Sequence, residues 1–563
     1  MEYDIKIMLG ILALVVAFCV ITVVETRRRK ERFWQKAKQE FGELPFQDYN
    51  LEELDSFSHY YRSRQKTDHA FTIDDITWND LDMDRIFLLL NKTGSSIGSE
   101  YLYDMLRRPC FQQDILLERK RLAEYFAENE QKRIRIQYIF HELGRVRRIG
   151  FSDYIERLQE LDAKSNLRHY VMIGIIIGYF LLSCVNVSYG VPCLILAVVF
   201  NIIDYYRHKG AIEPYLICFT YLLRMLKSAE LIGKIPDKEL LKYTKGINDI
   251  TKQWKRFKRN AFWVSGSGRD AGGGLEQVII DYIRMVFHPD LIKFNQMLVE
   301  VQNKSEDIDK LFRLLGELEA AIAVANFKAW LPYYAEPELT EGGKAVFYAE
   351  GMYHPLLSNP VANSIQVDRN VLLTGSNASG KSTFLKSAAI CSILAQTIYA
   401  CPCRSYKNTY FRTYSSMALR DDIQSGESYF IVEIKSLKRI LDAAGQSAPV
   451  LCFVDEVLRG TNTVERIAAS AQVLKSLVRP HVLVFAATHD IELTYMLEDT
   501  FENYHFTEEI SENDVVFHYE LLNGRADSRN AINLLKIIGY DETIVKRAKS
   551  SAEKFLQEGV WEC

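Results

Sequence analysis

The chain has 563 residues, 48% of them hydrophobic and 25% charged, with a formal net charge of −4 and a mean hydropathy of −0.10. That composition excludes a disordered or fibrous chain and implies several folded domains. The balance of 69 basic against 73 acidic residues excludes a globally basic nucleic-acid binder, and the ten scattered cysteines fit neither a disulfide framework nor a zinc spacing, which favours a reducing compartment.

From Ile7 to Val24 the sequence carries no charge, and its length is close to what a bilayer span requires. The run Arg27-Arg28-Arg29-Lys30 follows, so the positive-inside rule puts the rest of the chain in the cytoplasm. The start MEYD lacks the basic region of a cleaved signal peptide. Residues 1–30 are therefore read as an N-terminal transmembrane anchor and the charged, aromatic stretch 31–70 as a linker or short helical collar. Over 71–165 apolar residues recur at helical spacing from Ile86 to Phe126, with a helix end at Asn91-Lys92-Thr93-Gly94 and a second helix from Ser99 to Arg108. A second apolar region, Tyr170 to Ile203, is broken at Asn186-Val187-Ser188-Tyr189-Gly190 and Pro192. Basic residues flank it (Lys164 and Arg168 before, Arg207 and Lys209 after), so 166–209 reads as a transmembrane hairpin with both ends in the cytoplasm; a buried core hairpin or a re-entrant pair is the alternative. Residues 210–340 are again helical, over Tyr215–Leu231 and Leu275–Tyr333.

Past Lys344, within 341–563, the pattern changes to short apolar strands, Val371–Thr374, Val450–Val454 and His481–Ala487, separated by helical segments. Strand and helix alternate, which implies an α/β domain with a mainly parallel sheet. Gly375-Ser376-Asn377-Ala378-Ser379-Gly380-Lys381-Ser382 lies between such a strand and a helix that opens with Thr383, the context required of a P-loop. Its backbone N–H groups would curl round the phosphates of ATP, Lys381 would neutralise β and γ oxygens, and the Ser382 hydroxyl would ligate Mg²⁺. Val450–Val454 ends in Asp455 and Glu456; Asp455 suits the Mg²⁺ shell and Glu456 the general base that activates water. His489 ends another apolar strand and is read as a catalytic contact to the γ-phosphate or the attacking water. Ser425, Gly426 and Ser428 precede a helix and offer hydroxyl and N–H donors to a phosphate.

The order of P-loop, Asp421–Glu433, Asp455-Glu456…Arg459-Gly460-Thr461…Thr463 and Ala487-Thr488-His489…Glu492-Leu493 resembles the ATPase domain of the MutS family, a branch of the ABC-type ATPases. Gly351-Met352-Tyr353-His354-Pro355 is similar to the family's entry to this domain, and Asn91–Gly98 with Tyr101–Pro109 is similar to the start of its helical core. The resemblance implies a homodimer in which Ser425, Gly426 and Ser428 complete the partner's ATP site. It also places Tyr519 where the family often sets an imidazole near adenine. The stretch before Phe71 is too short for the family's mismatch-reading domain, and membrane spans are foreign to its repair proteins. The expectation is a membrane-anchored, MutS-related ATPase: an ABC-type P-loop α/β domain, an all-α core and lever domain, and transmembrane helices.

Lys242, Lys245, Lys252, Lys255, Arg256, Lys258 and Arg259, interleaved with Trp254 and Phe257, form the best basic patch. DNA, anionic lipid headgroups or plain solvent each fit it. Two functions follow: an ATP-gated DNA-binding dimer of the mismatch-repair type, or a membrane mechanochemical ATPase that never touches DNA.

Overall fold

The amphipathic periodicity of the first 330 residues is used to build one helical core. In the computed structural model, which describes residues 2–563 except 46–48, 50, 147–149, 266–274, 343, 377, 418–428, 460, 511–514, 527–530, 560, 562 and 563, helices Ser96–Arg107 and Gln113–Glu128 pack against the 26-residue helix Ser305–Trp330. Leu102, Leu106, Leu122, Phe126, Leu315 and Leu318 are fully buried between them. Residues 31–39 continue the long helix Glu2–Gln39, and Leu51–Phe57 and His59–Gln65 follow, so the stretch 31–70 takes the collar form rather than a linker. Phe57, Tyr60 and Tyr61 are its buried anchors.

Helix Ser96–Arg107 starts three residues before the predicted Ser99, because Ser95 caps it by accepting a hydrogen bond from the Gly98 N–H at 3.2 Å. The Glu319 carboxylate closes the same corner, accepting from the Gly94 and Ser95 N–H groups at 2.6 and 3.0 Å and from the Ser95 hydroxyl. A Cβ at Gly98 would stand 2.3 Å from Glu319 Oε2, so only glycine fits. Gly98→Ala should therefore lower stability by about 1–3 kcal/mol, read from the denaturant midpoint. Burial pushes the Glu319 carboxyl up to about 7, above its ordinary 4.5. With the folded value raised, its stabilising share is complete below the ordinary value and is lost as pH rises through about 7. Glu319→Gln should flatten that fall, leaving the part due to Glu100, which burial pushes up to about 7 as well.

The second apolar region forms the helix Leu167–Val185, a break at Asn186, and a helix of 47 residues, Val187–Gly233. The predicted separate helix Tyr215–Leu231 is thus the distal part of one rod about 70 Å long, in which Pro192 and Pro214 are accommodated. Among the described residues, these two helices are long and apolar enough to cross a membrane.

Strands β1 (Glu338–Thr340), β2 (Phe347–Met352), β3 (Asn363–Val367) and β5 (Ser405–Thr409) form a four-stranded sheet in the order β1-β5-β2-β3. Strands β4 (Asn370–Thr374), β6 (Arg412–Ser416), β7 (Val450–Asp455), β8 (Val482–Ala487), β9 (Phe501–Ile510) and β10 (Val515–Asn523) form the second, in the order β10-β9-β4-β8-β7-β6. All its neighbours are parallel except β9 and β10. β4 and β8 are buried along their whole length and β7 up to Asp455, as their unbroken apolar runs require of central parallel strands. The helical core grips this domain at β6: the buried Asp80 carboxylate accepts from the Ser415 hydroxyl at 2.7 Å and the Met417 N–H at 2.9 Å.

Candidate nucleotide site

The parallel strands deliver the candidate residues to one edge. β4 runs into the P-loop, β8 into Thr488-His489, and β7 into Asp455-Glu456, with β8 lying between the other two. Gly380 has φ +110° and opens the helix Lys381–Thr397, a left-handed turn that side-chain-bearing residues rarely adopt. Lys381 Nζ donates to the Gly375 and Ser376 carbonyls, both at 2.8 Å, and its side chain is buried. Burial pulls this ammonium down to about 8, against the opposing pull of Asp455 and Glu508. Ser376 donates to Glu508 at 2.9 Å. Ala378, Ser379, Gly380, Lys381, Ser382 and Thr383 line a cavity of about 560 Å³, a size that accommodates a nucleotide. Asn377, Ser425, Gly426 and Ser428 lie outside the described residues.

The same cavity is lined by Glu456, Arg459 and Tyr519, and on its far side by His354, Leu357 and Val361. Glu456 has φ +55°, a strained conformation for a residue with a side chain, held by its N–H donating to the Ala487 carbonyl at 2.9 Å. Its carboxylate is gripped from two sides, by His489 Nε2 at 2.6 Å and by Arg459. Burial, with the nearby Lys381 charge second, lowers the pKa of His489 below the usual imidazole value. His489 meets Glu456 directly, a contact beyond the phosphate or water expected of it. Asp490 anchors this corner through a paired contact with Arg466 at 2.6 and 3.0 Å.

The residues present fit Mg²⁺. Asp455 Oδ1 is buried without a hydrogen-bond partner, and Ser382 sits on the first turn of the P-loop helix facing the cavity. An oxygen donor set of this kind is what a hard divalent cation takes.

One contributor was not legible as a site residue. Arg459 stands in a motif with no role assigned to it, and its ion pair with Glu456, three residues back, is set by the turn at the strand end. Ser379 carries a buried hydroxyl without a partner, aimed at the cavity by the P-loop turn. Tyr519, φ +56°, lines the cavity, and its carbonyl accepts from Asn363 Nδ2 at 2.9 Å.

The basic patch differs from expectation. Trp254 and Phe257 are buried, 1% and 0% exposed, so neither offers a stacking face. The turn at the end of helix Leu241–Gln253 points both rings into the helical core. Lys258 pairs with Glu230, Lys252 with Asp249 and Arg256 with Glu300, leaving a cationic surface partly neutralised by its own neighbours.

A glycine-rich loop at a helix start, an acidic strand end and an intervening strand carrying a histidine form the pattern of a P-loop domain. Residues 371–556 match the family MutS domain V. Over 264 residues the chain is 34% identical to the DNA mismatch repair protein MutS of Thermosipho melanesiensis, covering 44% of this chain and 31% of that protein. Over 271 residues it is 29% identical to the MutS of Thermotoga petrophila, covering 46% and 33%. The DNA mismatch repair protein MSH3 of Debaryomyces hansenii is 27% identical over 310 residues, covering 49% and 30%. The chain spans about a third of the length of these curated relatives.

Proposed function

We propose that this chain is a membrane-anchored ATPase that binds ATP with Mg²⁺ through the P-loop and hydrolyses it, as a homodimer whose two sites are shared across the interface. The observation that carries the reading is the convergence of Lys381, Asp455, Glu456 and His489 on one edge of the sheet. Lys381 and the P-loop amides bind the phosphates. Ser382 and Asp455 would hold Mg²⁺, which supplies charge neutralisation at the β and γ oxygens. Glu456 accepts the proton of the attacking water, and His489 orients the carboxylate through Nε2.

Anchoring is supported by the apolar side chains the two long helices leave uncovered, among them Phe180, Leu181, Leu196 and Phe200. A surface of that size in water would be an aggregation site; lipid covers it. The two spans with the anchor at 7–24 make a multi-pass protein with the ATPase domain in the cytoplasm.

For the working partner, the names of the relatives support DNA, met by the exposed Lys242, Lys245, Lys255 and Arg259. A specific observation favours the second reading, that motion passes to the membrane instead. The rod Val187–Gly233 joins the apolar hairpin to the helical core without a break, and the aromatics interleaved in the patch, Trp254 and Phe257, are buried. Titrating the purified full chain with duplex and single-stranded DNA at several salt concentrations separates the two. A DNA-binding dimer should lose affinity steeply with salt, and Lys245→Glu with Lys255→Glu should reduce both affinity and slope. A chain that hydrolyses ATP and shows no salt-dependent DNA binding is the mechanochemical ATPase.

A further inference from the structure

At the foot of the hairpin, away from the nucleotide cavity, three buried metal-ligating side chains from three separate elements face one another. His169 lies in the first turn of Leu167–Val185, Asp204 in Val187–Gly233, and His288 joins the helices Leu275–Phe287 and Pro289–Asn303. They are 6%, 3% and 1% exposed, and their donor atoms lie within 4.8 Å of one another. We propose that His169, Asp204 and His288 form a binding site for a divalent transition-metal ion of the zinc class, a staple that ties both arms of the hairpin to the lever helices.

The geometry has four parts. The Nδ1 atoms of His169 and His288 stand 3.0 Å apart, close to the spacing of two imidazole nitrogens that share one ion at about 2.0–2.1 Å each. His288 Nε2 is 3.0 Å from the Asn201 carbonyl oxygen, which only accepts, so the ring proton sits on Nε2 and Nδ1 presents its lone pair inward. A ligating imidazole is usually oriented by such an outer carbonyl. Asp204 pairs through Oδ1 with Arg168, whereas its Oδ2 is buried and has no hydrogen-bond partner. A carboxylate oxygen withdrawn from water with nothing to accept is costly to keep, and a cation relieves that cost. Finally, His288 has φ +51°, a left-handed conformation uncommon for a residue with a side chain, at the corner between its two helices.

Without an ion, a single proton shared between the two Nδ1 atoms satisfies both imidazoles but leaves Asp204 Oδ2 unpartnered. With one, His169 needs only to move its proton to Nε2, and all three donors are engaged. Two imidazoles with one carboxylate suit zinc or another first-row divalent ion better than Mg²⁺ or Ca²⁺, which take oxygen donors. The site is chemically distinct from the Asp455 and Ser382 oxygens.

The test uses the full chain purified in lipid nanodiscs, stripped with chelator and then loaded with zinc alone. One zinc per chain should survive gel filtration, and its content should fall at least tenfold in His288→Ala and Asp204→Asn. His169→Asn is a milder third variant, and a parental helical circular-dichroism signal and gel-filtration profile certify that each variant is folded. Cobalt in place of zinc should give visible d–d absorption without a thiolate charge-transfer band, a readout that needs no variant at all. The buried thiols of Cys391, Cys401 and Cys403 are the competing zinc ligands in the chain, so Cys403→Ser should leave the zinc content unchanged. A parent chain that retains no zinc, zinc content equal to the parent's in the folded variants, or cobalt bands of thiolate origin would each overturn the assignment.

Discussion

Lys381→Ala should weaken ATP binding at least 100-fold, whereas Glu456→Gln should bind ATP with parental affinity and hydrolyse it about 10²–10⁴-fold more slowly. The difference follows from where the two groups stand. Lys381 is buried with its ammonium already aimed at the Gly375 and Ser376 carbonyls, so the loop it braces is the loop that receives the phosphates. Alanine removes both the charge and the brace. Because burial pulls the ammonium down to about 8, and the phosphates bind the charged form, affinity should also fall as pH rises past that value. Glu456, by contrast, touches His489 and Arg459 and no P-loop group in the described contacts, so Gln keeps the turn and loses only the proton acceptor. Titration with a fluorescent ATP analogue reads the first effect and phosphate release the second. Equal nucleotide affinity in Lys381→Ala and the parent would remove the P-loop from the account.

Mixing Lys381→Ala with Ser428→Ala protomers should restore up to about half the parental turnover per heterodimer, although each variant alone is inactive. In the shared arrangement the P-loop of one protomer faces Ser425 and Ser428 of the other. Both lesions then fall on one site and leave the second wholly parental. If each protomer closed its own site, both sites of the heterodimer would carry a lesion. The Asp80 contacts to Ser415 and Met417 fasten β6 to the helical core eight residues before Ser425. A mixture no more active than either variant, with heterodimers confirmed by tagged pull-down, contradicts the shared site.

The α/β domain was legible because central parallel strands must be apolar throughout, and β4, β7 and β8 are such runs ending in Gly375, Asp455 and Thr488. P-loop chemistry is local, so residue types and spacing name its members. What spacing does not encode is contact across the sheet edge. The grip of His489 on Glu456 depends on β8 lying beside β7, a strand order no local pattern specifies. The basic patch misled for a related reason. Alternating cations and aromatics look the same whether the rings face solvent or core, and the turn after Gln253 sends Trp254 and Phe257 inward. The hairpin was visible in composition, but its fusion with the following helix was not, since the basic residues Arg207 and Lys209 mark the end of the apolar run. The grouping of His169, Asp204 and His288 joins residues 35 and 84 positions apart and left no signal in the sequence.

Steady-state phosphate release from ATP by the purified full chain in nanodiscs, with and without Mg²⁺, tests the central claim most directly. The account predicts turnover that requires Mg²⁺, saturates with ATP, and is lost in Glu456→Gln while that variant still retains ATP. A parent chain that binds ATP·Mg²⁺ and releases no phosphate, or a Glu456→Gln variant that turns over at the parental rate, would contradict it.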